Sequence, residues 1–164
     1  MRTAIDLKEA LQETLTRLDG AGILLVAGNP PNPMTIGWGT IGPIWGRQIF
    51  TVMVRPVRHT FQLMETATSF SVCVMPEGYE KQLAFCGTKS GRTIDKATVC
   101  GFHMQQCEHV EAFYIAESAF HFECRIVHKH FIDPTTLDPS ILDKYYPKRD
   151  LHRVYYGEIL GIFK

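Results

Sequence analysis

The 164-residue sequence predicts a mainly β fold, a small antiparallel barrel with a few peripheral helices. Three observations predict it. About six or seven short segments read as strands, either alternating at period two or continuously apolar over five residues or so. Helical segments are few and do not follow each strand in turn, as a parallel sheet would require. Turn clusters rich in Gly, Pro and Asn separate the strands, and closing an antiparallel sheet on itself removes its exposed edges.

The elements follow in chain order. Asp6 to Leu18 reads as a helix, with Asp6 as cap, Glu9 three residues on, and Leu7, Leu11, Leu15 and Leu18 as one stripe. Gly20 and Gly22 end it. Ile23 to Ala27 is a short buried strand, and the following GNPPNP is a turn. Met34 to Ile41 and Gln48 to Val54 read as antiparallel neighbours around a bend from Gly42 to Gly46. After Pro56 comes a helix from about Thr60 to Ala67. Ser69 to Met75 is a strand with Phe70, Val72 and Val74 on one face. Tyr79 to Phe85 is a short helix, and CGTKSGRTIDK is a polar loop with a helical turn near its end. Phe120 to Phe131 is a long strand, DPTTLDP a turn cluster, and Val154 to Phe163 the last strand.

The length suits one domain spanning residues 1–164 with a real core. Lys plus Arg and Asp plus Glu number 17 each, so the net charge is zero and nothing favours nucleic acid or an anionic membrane as partner. The longest apolar run, Ile23 to Ala27, is far too short to span a bilayer. The start, MRTAIDLKEALQETL, is amphipathic and carries acids, unlike a signal peptide, so the expected compartment is the cytoplasm. Five cysteines without a C-x-x-C pair predict reduced core thiols rather than a disulfide framework or a closed zinc site.

Gly37, Gly39 and Gly42 spell G-x-G-x-x-G. In a dinucleotide-binding unit such glycines open a helix that receives the pyrophosphate. Here Pro43, Ile44, Trp45 and Gly46 follow, then a strand, and no acidic residue stands about twenty positions on. The glycines read instead as relief of crowding in a strand near a bend.

Three segments suit a flat ring that carries a phosphate. In VRPVRHT, Arg55 and Arg58 bracket Pro56 and Val57, and His59 and Thr60 stand at a helix start, with Thr60 as a suitable cap. Free N–H groups, partial positive charge and a guanidinium fork together match phosphate oxygens; a plain capped helix with solvated arginines would give the same pattern. The loop Thr88-Lys89-Ser90-Gly91-Arg92, followed by Asp95-Lys96, offers hydroxyls, a glycine and cations, though as a surface turn it needs no ligand. Along Met34 to Thr40, Thr35, Gly37 and Gly39 would share one strand face and let a ring approach the backbone, with Trp38 and Trp45 as walls or as core. His128 and His130 lie two apart on a strand, but spacing names no third ligand, so no metal site is predicted. No nucleophile–base arrangement is legible either.

Taken in order and spacing, NPMTIGWGTIG, VRPVRHT, CGTKSGRTIDK and YYGEILGIF resemble the flavin reductase-like, FMN-binding split-barrel family, in particular its flavoredoxin-type branch. The resemblance implies a six-stranded antiparallel Greek-key split barrel that forms a homodimer with FMN near the subunit interface. It implies flavin contacts from Met34, Thr35, Trp38, Gly39 and Thr40, phosphate contacts from Arg55, Arg58, His59 and Thr60, and closure of the other side by Ser90, Gly91, Asp95 and Lys96. Where relatives commonly carry Asn in the strand after the first helix, this chain has Cys73. With FMN as cofactor the flavin carries the hydride chemistry, and no dedicated acid–base dyad is expected. Three functions stay open: an NAD(P)H-dependent reductase of free flavin or a ferric chelate, an FMN electron carrier served by a redox partner protein, and a barrel that binds a phosphate ligand or metal without flavin.

Overall fold

The computed structural model describes residues 2–164. Its first helix, α1 (Leu7–Asp19), starts where Asp6 accepts the Lys8 N–H. The predicted leucine stripe is only partly the buried face. Ala10, Thr14 and Leu18 are buried, whereas Leu15 is 46% exposed, because the helix turns its smaller residues toward the closely packed core.

Seven strands form one antiparallel sheet: β1 (Ile23–Ala27), β2 (Asn32–Ile36), β3 (Gly39–Ile44), β4 (Arg47–Val54), β5 (Ser69–Val74), β8 (Phe120–Phe131) and β9 (Arg153–Phe163). Their order across the sheet is β2-β1-β5-β8-β9-β4-β3, so β2 and β3 are the two edges. A separate hairpin pairs β6 (Met104–Gln106) with β7 (Phe113–Ile115). The expected single strand from Met34 to Ile41 is therefore two. It breaks at Gly37–Trp38, β2 pairing with β1 and β3 with β4. Only two residues join opposite edges of a seven-stranded sheet, so the sheet must curl until those edges lie within about 11 Å, the reach of three Cα steps. It stays open, with no β2–β3 pairing among the described residues. The sheet thus differs from the expected six-stranded, closed Greek-key arrangement.

The curl gives β1 and β5 two covered faces, which is why both are buried at every position. Inside, Leu25, Phe50, Phe70, Val72, Phe122 and Tyr155 pack together with Ala10 and Leu18 of α1. Outside, Leu24, Val26 and Cys73 meet Leu83 and Cys86 of α3 (Glu80–Thr88), Ala97 of α4 (Lys96–Cys100) and Ile115 of β7. A fully buried antiparallel strand reads as a continuous apolar run, as at Ile23–Ala27.

The remaining helices are α2 (His59–Thr66) and α5 (Pro139–Tyr145), the latter within the connection from β8 to β9. The N-cap of α2 is Arg58, not Thr60; Thr60 lies inside the helix and its hydroxyl accepts from Asn32 Nδ2 at 3.0 Å. The bend between β3 and β4 is the two-residue turn Trp45–Gly46, both at positive φ, so the strands run on to Ile44 and from Arg47. No helix among the described residues is long and apolar enough to cross a membrane.

Candidate functional site

Three chain breaks converge on one face: the β2–β3 crossing at Gly37–Trp38, the Arg55–Arg58 turn after β4, and the loop between α3 and α4. The turn is closed by the Arg58 N–H donating to Arg55 O at 3.0 Å. Two clefts result, and Arg58 borders both.

The larger, of about 290 Å3, runs along Met34, Thr35, Ile36, Gly37 and Trp38 and is completed by Met53, Arg55, Arg58 and His152. Trp38 stands edge-on to Tyr145 at 5.2 Å and tilted against His152 at 5.4 Å, leaving it 44% exposed at the mouth. Thr35 does not present its hydroxyl to the cleft; it donates to Leu83 O at 2.5 Å and so fastens α3 to β2. Arg55 is spent on the α5 segment: Nη1 pairs with Asp150 at 2.8 Å, Nη2 donates to Tyr145 O at 2.8 Å, and the guanidinium lies 5.0 Å over the Tyr146 ring. That pairing holds the Asp150 carboxyl below the usual range. Burial and then the Arg55 charge lower the His152 pKa to about 4, so its ring is neutral near pH 7. The Tyr146 hydroxyl, 2.7 Å from Nδ1, is the natural donor to that nitrogen, which assigns the ring proton to Nε2.

The smaller cleft, of about 150 Å3, joins the start of α2 to the α3–α4 loop and Lys96. Arg58, Lys89, Arg92 and Lys96 border it, and no carboxylate does. Arg58 Nη1 donates to Gly87 O at 2.9 Å, and Arg92 Nη1 to Val57 O at 3.1 Å, so the two arginines stitch the turn to the loop. Burial lowers the Arg58 pKa. Burial, then Arg92 and Lys96, lower that of His59. Lys96 is buried with Nζ donating to Cys86 O at 3.2 Å, and burial brings its pKa down to about 8.

Two further features mark the packing around this cleft. His59 Nδ1 is buried with no hydrogen-bond partner. Gly91 has no room for a side chain: a Cβ there would overlap Asn32 Oδ1 and stand 2.9 Å from His59 Cδ2. A phosphate monoester attached to a flat ring fits the pair, with the phosphate among the cations and the ring along β2 and Trp38.

The expected residues divide accordingly. Met34, Thr35, Trp38 and Arg55 border the larger cleft; His59, Thr60, Ser90, Gly91 and Lys96 border the smaller; Arg58 serves both. Gly39 and Thr40 border an adjoining hollow, with Thr51, that shares Gly37, Trp38 and Met53 with the larger cleft. Asp95 borders neither cleft, since its carboxylate caps α4 by accepting from Thr98 N and Thr98 Oγ1. Trp45 is neither wall nor core: it sits 60% exposed at the β3–β4 turn against His128 and Tyr156. Cys73 lies in the outer core, where its sulfur accepts the Ile115 N–H. His152, Met53 and Asn32 were not legible as site residues, because no local motif marks a partner brought in from another strand. One group of metal-type ligands exists among the described residues, Cys107, His121 and Glu123. Both Glu123 oxygens already accept donors, from Arg2 and from the Glu108 and His109 N–H groups.

Among solved structures, flavoredoxin of Desulfovibrio vulgaris (Miyazaki F) superposes with a TM-score of 0.68 at 20% identity, over 86% of this chain and 67% of that one. Flavoredoxin from Methanosarcina acetivorans gives 0.67 at 24% identity, over the same shares. The NADH:FAD oxidoreductase of Streptomyces globisporus C-1027 gives 0.66 at 20% identity, over 98% of this chain and 85% of that one. At these identities the likeness is one of fold. No curated protein sequence matches the chain. The model of the flavin reductase-like domain matches residues 20–162, nearly the whole chain, and the protein therefore belongs to that family.

Proposed function

We propose that this protein is an FMN-dependent oxidoreductase of the cytoplasm, a homodimer that takes hydride from NAD(P)H and reduces a small acceptor such as free flavin or a ferric chelate. The observation that carries the reading is the shared Arg58. A ring-sized cleft and a phosphate-sized one bordered by four cations and no carboxylate meet at a single guanidinium, which suits a ligand with a flat head and a charged tail. The family membership and the NADH:FAD oxidoreductase likeness support it.

When bound, the flavin supplies the hydride and electron chemistry. Arg58, Arg92 and Lys96 hold the phosphate, with His59 beside them, and the tightly packed Gly91 backbone lets the loop close on it. Met34 and the Gly37–Trp38 crossing flank the ring, and Trp38 narrows the mouth. His152, neutral, presents Nε2–H as a donor beside the ring cleft without adding charge there. Arg55 acts through Asp150 and Tyr145 O to fix the α5 segment that carries Tyr145 and His152 to that cleft.

A second reading, an FMN electron carrier reduced by a partner protein, draws on the likeness to two flavoredoxins and on the α5 segment pinned beside Trp38. Titration with FMN should quench flavin fluorescence at one flavin per chain, and a protein that binds none would overturn both readings. Rapid mixing of the FMN-loaded protein with NADH and with NADPH then separates them. Bleaching of the flavin band by either nucleotide supports the reductase, and failure of both leaves the carrier. Light scattering should return twice the chain mass.

A further inference from the structure

Cys86 and Cys100 stand out among the five cysteines because their sulfurs touch, Sγ to Sγ 3.8 Å. Cys86 is buried on α3, whereas Cys100, the last residue of α4, is part-exposed and opens on a surface hollow of about 230 Å3 beside Phe85 and Val99. A disulfide has an S–S separation of about 2.05 Å, so bond formation asks the two sulfurs to close the gap from 3.8 Å. Cys73, Cys107 and Cys124, by contrast, are all buried.

The pair sits directly behind the cationic cleft. Cys86 O accepts from Lys96 Nζ, and the next carbonyl, Gly87 O, accepts from Arg58 Nη1. The residues between the two cysteines include the whole α3–α4 loop with Ser90, Gly91 and Arg92. We propose that Cys86 and Cys100 form a reversible, peroxide-driven disulfide that ties α3 to α4 and locks the phosphate-binding loop. The loop's role in holding phosphate rests on the FMN reading above; formation of the disulfide does not.

The chemistry runs in two balanced steps. The Cys100 sulfur attacks one oxygen of hydrogen peroxide, the O–O bond breaks, and a sulfenic acid and water form. The Cys86 sulfur then attacks the Cys100 sulfur, the S–S bond forms as the S–O bond breaks, and the Cys86 proton leaves with the hydroxyl as a second water. Peroxide takes up the two electrons that the two thiols lose. Burial pushes the Cys86 thiol up to about 12 and also raises that of Cys100, while Lys96 opposes the rise at both. The thiolate fraction at neutral pH is therefore small, which slows the first step.

The test uses the full chain. Incubation with hydrogen peroxide, alkylation of remaining thiols and peptide mass spectrometry should yield a Cys86–Cys100 linked peptide that dithiothreitol reverses and that Cys100→Ser abolishes. Persistence of both free thiols, over-oxidation of Cys100 without the link, or links between molecules would each overturn the disulfide. In the linked protein, release of FMN should be at least about threefold slower than in the reduced protein, because a pre-ordered loop reopens less readily. Equal release rates with the disulfide mapped would overturn the locking. Absence of FMN binding in both forms would refute the cofactor reading and the locking built on it, and leave the mapped disulfide standing.

Discussion

Arg55 and Arg58 are three residues apart and read as one phosphate-binding unit in the sequence, yet the fold gives them different work. Arg58 reaches the cationic cleft, while Arg55 is consumed by Tyr145 O and Asp150, 90 and 95 positions on in chain order. Arg58→Ala should therefore weaken FMN binding by about tenfold or more, or ~1.4 kcal/mol, as expected for a charged phosphate contact. Arg55→Ala should leave phosphate affinity within about threefold and show instead as faster proteolysis of the α5 segment. Fluorescence titration of the two variants distinguishes them, and equal losses would mean Arg55 turns to the phosphate when ligand arrives. Lys96 adds a pH dependence. Its pKa is about 8 when folded against about 10.5 when unfolded, so between these values the unfolded chain binds more protons and stability rises with pH. Ligand binding has the opposite sign. A phosphate beside Lys96 favours the ammonium, so FMN affinity should fall as pH rises through about 8, a trend that titrations on either side of that value would reveal and that Lys96→Met should flatten. The sequence showed which residue types could meet a phosphate; it did not show which arginine an acidic residue in another connection would claim.

At the scale of elements, strongly patterned segments were legible and breaks were not. The long strands near Phe120 and Val154 and the buried run at Ile23 carry period-two or continuous apolar signals, and all three are strands. The Met34–Ile41 break has no mark in the sequence because Gly37–Trp38 lies inside an unbroken small-and-apolar pattern, and only the pairing of β2 with β1 and β3 with β4 forces it. The hairpin of β6 and β7, three residues each, and the seven-residue α5 are too short to give a period. The sequence confines the tight turn between β3 and β4 to a five-residue bend, and its chemistry is unusual. Trp45 and Gly46 both take positive φ, where Asn-Gly is the favoured pair. Gly46 has open space around its Cα, so only backbone strain opposes a side chain there. Gly46→Ala should destabilise the protein by about 1 kcal/mol and lower Tm by roughly 2–4 °C, without altering FMN affinity. A change within calorimetric error would show that the turn relaxes to another type.

At the scale of the whole molecule, the curl of the sheet sets how tightly its interior must close, and one contact measures it. Gly157 lies mid-sheet on β9, opposite Phe50 of β4 and Ile126 of β8. A Cβ at that position would run into the Phe70 ring and stand 2.9 Å from Cys124 Cβ. Phe70 is fully buried among the inner core residues, so the ring cannot swing out into solvent. Ring and missing side chain together occupy space that a flatter sheet would have left open. Gly157→Ala should thus cost about 1–3 kcal/mol by overpacking, and Phe70→Leu about 1–2 kcal/mol by lost burial. The pair should not add. Leu shortens the group that the new methyl meets, so the double variant should be less destabilised than the sum by at least about 0.5 kcal/mol. Urea denaturation of the four proteins, read at constant m-value, gives the coupling directly. Strict additivity would mean that the sheet opens locally at β9 to admit the methyl, which would place the strain in the strand ladder rather than in the core.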